Sequence, residues 1–131
     1  MRRLWLIGLL LLAGCTASPK HMLGDPRAEV LAEVDVSDIS ADRGMAFGKG
    51  DVAMYSNFGQ FAEDKLAMGG DWTPDWRNWS DELKGRAEVR FTTVQERTAE
   101  ARAAGEGSTA TVWYFWDEND CLLAILRETW Q

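Results

Sequence analysis

The chain holds 131 residues, room for one domain, with 21 acidic against 14 basic side chains and a formal net charge of −7. That balance argues against nucleic acid as a partner, because such binding rests on neutralising phosphates, and against adhesion to anionic head groups through a basic patch. His21 is the only histidine and falls in the expected N-terminal tether, so within the fold a Ser-His-Asp or Cys-His arrangement lacks its base and a zinc site lacks imidazole; no catalytic residue, metal or cofactor is expected.

The first fourteen residues run Met1-Arg2-Arg3, an almost unbroken apolar stretch from Leu4 to Leu12, then Ala13-Gly14. A basic start, a short apolar core and small residues make the layout of a secretory signal peptide, and the apolar run falls short of the roughly 20 residues a spanning helix needs. Leu11-Leu12-Ala13-Gly14-Cys15 resembles the lipobox of bacterial lipoproteins. The resemblance covers residues 1–15 and implies that the leader is cut before Cys15, that the Cys15 thiol is diacylated, and that the new amino terminus takes a further acyl chain such as palmitate. In that family an aspartate after the cysteine commonly marks inner-membrane retention; here the residue is Thr16, which implies an outer-membrane protein facing the periplasm. Three chains matter because each buried methylene contributes about 0.8 kcal/mol and one chain alone anchors only marginally. Cleavage would remove Arg2 and Arg3 and no acid, taking the formal charge to −9. With Cys15 acylated, Cys121 has no partner for an intrachain disulfide. It reads as a buried apolar residue, an intermolecular disulfide being the alternative.

Residues 15–24 carry the lipidated cysteine and a short tether of turn formers, and residues 25–131 form the single periplasmic domain. Asp25-Pro26 opens a helix with Val30, Leu31 and Val34 on one face, although Val34 to Ile39 suit a strand as well. Gly44, Gly48 and Gly50 make residues 40–51 a turn-rich connection. Asp51 then caps a helix bearing Val52, Tyr55, Phe58, Phe61, Ala62 and Leu66, stopped by Gly69-Gly70. Thr73-Pro74-Asp75 repeats the start signal, and Trp76, Trp79, Leu83, Ala87, Phe91 and Val94 favour one long helix to about Ala104. A strand across Ala87–Val94 is the alternative, since that segment alternates and is β-branched.

Thr109–Trp116 and Cys121–Trp130, separated by Asp117-Glu118-Asn119-Asp120, read as an antiparallel hairpin. Pairing Trp116 with Cys121 puts Val112, Tyr114, Trp116, Cys121, Leu123 and Ile125 on one face. Trp113, Phe115, Leu122, Ala124 and Leu126 fall on the other. Both faces are apolar and both need a cover. The expected class is therefore α+β: two or three helices packed on a C-terminal antiparallel hairpin or small sheet.

Asp71, Asp75 and Asp81 among Trp72, Trp76 and Trp79 have the composition of a sugar-binding cleft, but core and helix-cap positions account for most of them. Trp72 alone falls outside the helical stripe and is the expected exposed anchor; Trp113, Trp116 and Trp130 complete a candidate interaction surface. Asp117–Asp120 lacks the glycine and distant glutamate of a calcium loop, and Gly48-Lys49-Gly50-Asp51 lacks the spacing of a phosphate loop. Trp113-Tyr114-Phe115-Trp116-Asp117 before a hairpin locally resembles small lipoproteins that assist outer-membrane protein assembly. The glycine-methionine-threonine helix start of that family is not evident, so membership is not assigned. The expected function is a non-enzymatic accessory or interaction subunit of a cell-envelope complex, bound to the membrane by its lipid and to an envelope protein by its aromatic surface. The alternatives are an inhibitor or exclusion lipoprotein, and a module that binds peptidoglycan or another carbohydrate.

Overall fold

The computed structural model describes residues 24–32, 34, 38–97, 99–105, 107 and 109–129. The leader, the lipobox with Cys15, His21 and Trp130 lie outside the described residues. Strands dominate. β1 (Arg43–Ala46), β2 (Asp71–Thr73), β3 (Glu88–Glu96), β4 (Ala110–Trp116) and β5 (Leu122–Thr129) form one sheet in the order β1-β3-β4-β5-β2. Every neighbouring pair is antiparallel. The described helices are α1 (Arg27–Leu31), α2 (Phe58–Ala67), α3 (Asp81–Lys84) and α4 (Ala99–Ala103). The architecture is α+β, but the C-terminal hairpin is two strands of a five-stranded sheet rather than a separate platform.

The long helix expected over residues 74–104 does not form. Thr73 ends β2, Trp76–Asn78 make one 3-10 turn, and α3 lasts four residues between its Ser80 cap and Gly85. β3 follows. Val89 and Phe91 are buried on one face of the sheet, and Thr92 and Val94 on the other. A helix would have buried a single stripe; a central strand buries alternate residues on both sides and pairs its backbone with β1 and β4.

The helix expected to begin at Asp51 begins instead at Phe58. Asp51 sits in a 3-10 turn (Gly50–Val52) after two glycines with positive φ. The cap is Asn57, whose side chain accepts from the Gln60 N–H at 2.9 Å while the Gln60 side chain accepts from the Ser56 N–H at 2.8 Å. Gly59 is required in this first turn because a Cβ there would lie 2.8 Å from the Lys84 Cβ and 3.0 Å from its carbonyl oxygen. That close approach docks α3 against α2. Residues 40–51 also contain β1, which was not expected: Arg-Gly-Met-Ala has no β-branched side chain.

In the hairpin, Trp116 pairs with Leu122 and Phe115 with Ala124, so a register shift falls between Phe115 and Trp116. The expected pairing was Trp116 with Cys121. Beyond the shift the strands sit two residues from that register. An even displacement keeps Ala124, Ile125 and Leu126 on their expected faces, while Leu122 and Leu123 exchange faces.

Two cores result. On one face Phe58, Phe61 and Ala62 of α2 meet Trp72, Phe91, Phe115, Ala124 and Leu126, and Phe47, Trp79 and Val89 complete the cluster. The rings of Phe58 and Phe115 lie 4.9 Å apart. On the opposite face Val112, Trp116, Leu122 and Ile125 pack with Val30 and Leu31 of α1.

Candidate functional site

Of the expected aromatic surface, two members are core residues. Trp72 is 4% exposed: β2 turns it onto the face beneath α2, where its indole N–H donates to the Ala62 carbonyl at 2.9 Å. Its ring meets Phe58 and Trp79 edge-on. Trp116 is 1% exposed; its indole N–H donates to Thr92 Oγ1 at 3.0 Å and the Arg27 guanidinium lies 5.8 Å over its ring. Neither is an exposed anchor, because each indole found a partner inside the protein. Trp130 lies outside the described residues. Trp113 is half-buried and lines a surface cleft; Trp116, though buried, contributes to the wall of another.

The tryptophans of residues 71–81 also turn inward. Trp79 is buried and donates to the Pro74 carbonyl, Trp76 donates to the Gly59 carbonyl, and the Lys84 ammonium stands 4.6 Å over the Trp76 ring. The Asp75 carboxylate is engaged by the Arg77 side chain and backbone, which hold its pKa below the ordinary aspartate value. These residues do not line a cleft with paired carboxylates. The Asp117–Asp120 turn is closed by its own side chain: Asp117 Oδ1 accepts from the N–H groups of Asn119 and Cys121 at 2.7 and 3.0 Å.

The surface that remains is the β1 edge. Phe47 N–H donates to the Ala87 carbonyl at 2.9 Å, which makes Phe47–Ala87 a hydrogen-bonded pair. Alternation then turns the N–H and C=O groups of Gly44 and Ala46 away from β3, to the outside of the sheet. Among the described residues no strand pairs with this side of β1. The edge begins earlier than β1 itself, since Ile39 bridges Val94 and Ser40 N–H donates to Thr93.

A cleft flanks this edge on each face of the sheet. The one on the α2 face has a volume of about 450 Å³, with Phe61, Phe91, Trp113, Met45 and Val52 as its floor. Its rim carries Arg43, Lys49 and Lys65 against one acid, Asp51. Trp113 is held as a wall: its ring stacks on Phe91 at 5.0 Å, its N–H donates to Glu128 at 2.7 Å, and the Lys65 ammonium lies 5.2 Å over its face. Lys65 is itself tied to Glu128 at 3.2 Å. Arg43 and Lys49 have no ion-pair partner among the described residues. Two unsatisfied cations above an aromatic floor, in a chain of net charge −7, mark this cleft out. Trp113 was legible in the sequence; Arg43 and Lys49 were not, since nothing in their spacing separates them from solvated charges.

The cleft on the opposite face, about 510 Å³, is lined by Arg86, Glu88, Arg90, Trp116, Asp117 and Glu118 beside Gly44–Ala46. Its arginines are already paired, while Glu88 has no ion-pair partner among the described residues. Arg86 donates to Glu118 at 2.6 Å, and Arg90 donates to the Asp117 carbonyl at 2.8 Å and to the Asp120 carboxylate. The buried Arg86 Nε–H has no acceptor among the described residues.

The far side of the sheet is where the N-terminal segment attaches. Gly24 N–H donates to the Leu122 carbonyl at 2.9 Å, Leu122 N–H donates to the Asp25 carbonyl at 3.0 Å, and Pro26 bridges Cys121. Cys121 is buried and disulfide-bonded, not the unpaired apolar residue expected. Its partner lies outside the described residues. Within one chain the only other sulfur able to form that bond is that of Cys15. One sulfur cannot hold both a disulfide and a thioether lipid, so the two fates exclude each other.

Among the described residues, no three His, Cys, Asp or Glu side chains are grouped to hold a metal ion, and no helix is long and apolar enough to cross a membrane. Comparison of the chain with protein-family models, with curated proteins and with solved structures finds no match.

Proposed function

We propose that this chain is a lipid-anchored envelope protein of the outer membrane, non-enzymatic, that serves as a binding subunit for another envelope protein. The anchor rests on the lipobox ending at Cys15. The observation that supports the binding role is the β1 edge: a strand whose outer side is open among the described residues, beside a cleft with an aromatic floor and two cations that lack ion-pair partners there. The helix layer over the opposite end of the same face, α2 with Trp72, would act as the rigid backing that fixes Trp113 and Phe91 in the cleft wall.

The anchored form needs Cys121 to take a sulfur other than that of Cys15, either from another chain or from a small thiol. Mass spectrometry of the mature protein tests this directly. The expected species begins at Cys15, carries acyl chains, incorporates labelled palmitate, and loses the label in Cys15→Ser. A Cys15–Cys121 disulfide in the mature protein would sink the lipoprotein reading. For the binding role, a photo-crosslinker at Lys49 is expected to capture one envelope protein that the same crosslinker at Asp71, on the opposite edge, does not. Equal capture at both positions would count against it.

The alternative of an inhibitor that occludes a basic cleft draws on the overall acidity of the chain. The cationic rim at β1 favours the first reading.

A further inference from the structure

We infer that the β1 edge binds its partner by strand addition, and that the partner segment is extended and acidic, with an apolar side chain between two carboxylates on one face. The inference rests on the binding role proposed above and names the chemistry of its partner. Gly44 and Ala46 turn two N–H and two C=O groups outward, as an added strand requires. Gly44 carries no side chain beside the approaching strand, and β1 is paired with β3 over four residues.

Alternate residues of an added strand fall on the same face, about 6.6 Å apart. On the α2 face they enter the cleft. A central apolar side chain meets Met45 on the cleft floor that Phe91 and Trp113 continue, and the carboxylates two positions before and after it reach Arg43 and Lys49. Charge fixes the partner's sign. Both cations lack ion-pair partners among the described residues, the only acid on that rim is Asp51, and the remaining lysine, Lys65, is engaged by Glu128. A basic strand would meet repulsion here, and a purely apolar one would leave both cations beside buried surface. On the opposite face Arg86 and Arg90 already hold Glu118 and Asp120 and Glu88 stands beside Ala46, so the carboxylates of the added strand belong on the α2 face.

The test uses the full chain in detergent and a synthetic heptapeptide with glutamate, phenylalanine and glutamate at alternate positions and serine elsewhere. Binding is followed by fluorescence anisotropy. The glutamate peptide is expected to bind at least tenfold more tightly than the same peptide with lysines. Its affinity should fall several-fold between 50 and 300 mM salt, and N-methylation of alternate amides should abolish it. Arg43→Glu is expected to reverse the preference toward the lysine peptide with an unchanged circular dichroism spectrum. Equal binding of both peptides, indifference to N-methylation, or no binding at all overturns the inference. Failure of the peptides while the Lys49 crosslinker still captures an envelope protein removes the acidic-strand partner and leaves the binding role standing. A dimer in sedimentation that Arg43→Glu dissociates would instead assign the edge to a second copy of this chain, and would overturn the inference as well.

Discussion

The two edges of the sheet are built in opposite ways. At the β2 edge the strand lasts three residues, is followed at once by Pro74, carries Asp71 outward and buries Trp72 beneath α2. Residues 24–26 then extend the ladder along β5. Short length, a proline and outward charge are the ordinary means of keeping a sheet edge from recruiting another strand. The β1 edge has four paired residues, Gly44 at its middle, outward backbone groups and a cleft on either face. A single fold thus blunts one edge and, among the described residues, leaves the other open; on the proposed reading this separates support from recognition.

The comparison can be broken most severely at its supporting side. Trp72→Ala removes a buried ring with its hydrogen bond and is expected to cost about 3–5 kcal/mol in urea denaturation. A loss below about 1 kcal/mol would mean that the β2 side is not the rigid one. Gly59→Ala forces a Cβ to within 2.8 Å of Lys84, and overpacking of this kind costs about 1–3 kcal/mol; an unchanged denaturation midpoint would show that α3 can move away.

A smaller effect is expected where the two sides are joined. Asp42, just before β1, is engaged by Arg27 of α1 and accepts from Thr92 Oγ1 at 2.5 Å, so its carboxyl is held below the ordinary aspartate range, chiefly by the Arg27 hydrogen bond. A depressed folded pKa adds stability that is present above the unfolded value of about 3.9 and is lost as pH falls through the folded value. Stability should therefore be insensitive to this group from neutrality to about pH 5 and should decline below about pH 4. Asp42→Asn is expected to flatten that acid limb. An acid limb identical in wild type and variant would assign the decline to other carboxylates.

The smallest effect on stability belongs to the open edge. Arg43→Ser should change unfolding free energy by no more than about 0.5 kcal/mol, because the side chain is exposed and without an ion-pair partner among the described residues. The same substitution should weaken the glutamate peptide several-fold. A large stability loss would make Arg43 a structural residue and close the comparison.

What the sequence displayed follows from how each element is buried. The β4–β5 hairpin was legible because both of its faces are apolar and the Asp117 turn punctuates them; its register and the bulge between Phe115 and Trp116 escaped, since neither leaves a mark in composition. β3 was misread because Trp76, Trp79, Leu83, Ala87, Phe91 and Val94 happen to fall at helical spacing, while the decisive fact, burial of both faces, is set by the neighbouring strands. β1 was invisible for a related reason. It owes its order to the ladder with β3, not to its own four residues. The aromatic surface was overestimated because an indole carries no sign of whether a carbonyl or hydroxyl awaits it inside. Trp72 and Trp116 found Ala62 and Thr92; Trp113 found Glu128 at the rim of a cleft.

The attachment of residues 24–26 beside β5 sets how the domain bears a load. From that ladder to β1 is four strand spacings, about 19 Å. A pull between a partner strand on β1 and a tether leaving at Gly24 runs across the strands, along the direction of the interstrand hydrogen bonds. Such a load peels bonds one after another rather than shearing a whole strand at once. The junctions at the two ends of that line, residues 24–26 on β5 and the four-residue pairing of β1 with β3, are shorter than the seven-residue pairings of β3 with β4 and of β4 with β5. Under tension such a sheet opens from its margins inward, and the central strands β3, β4 and β5 part last.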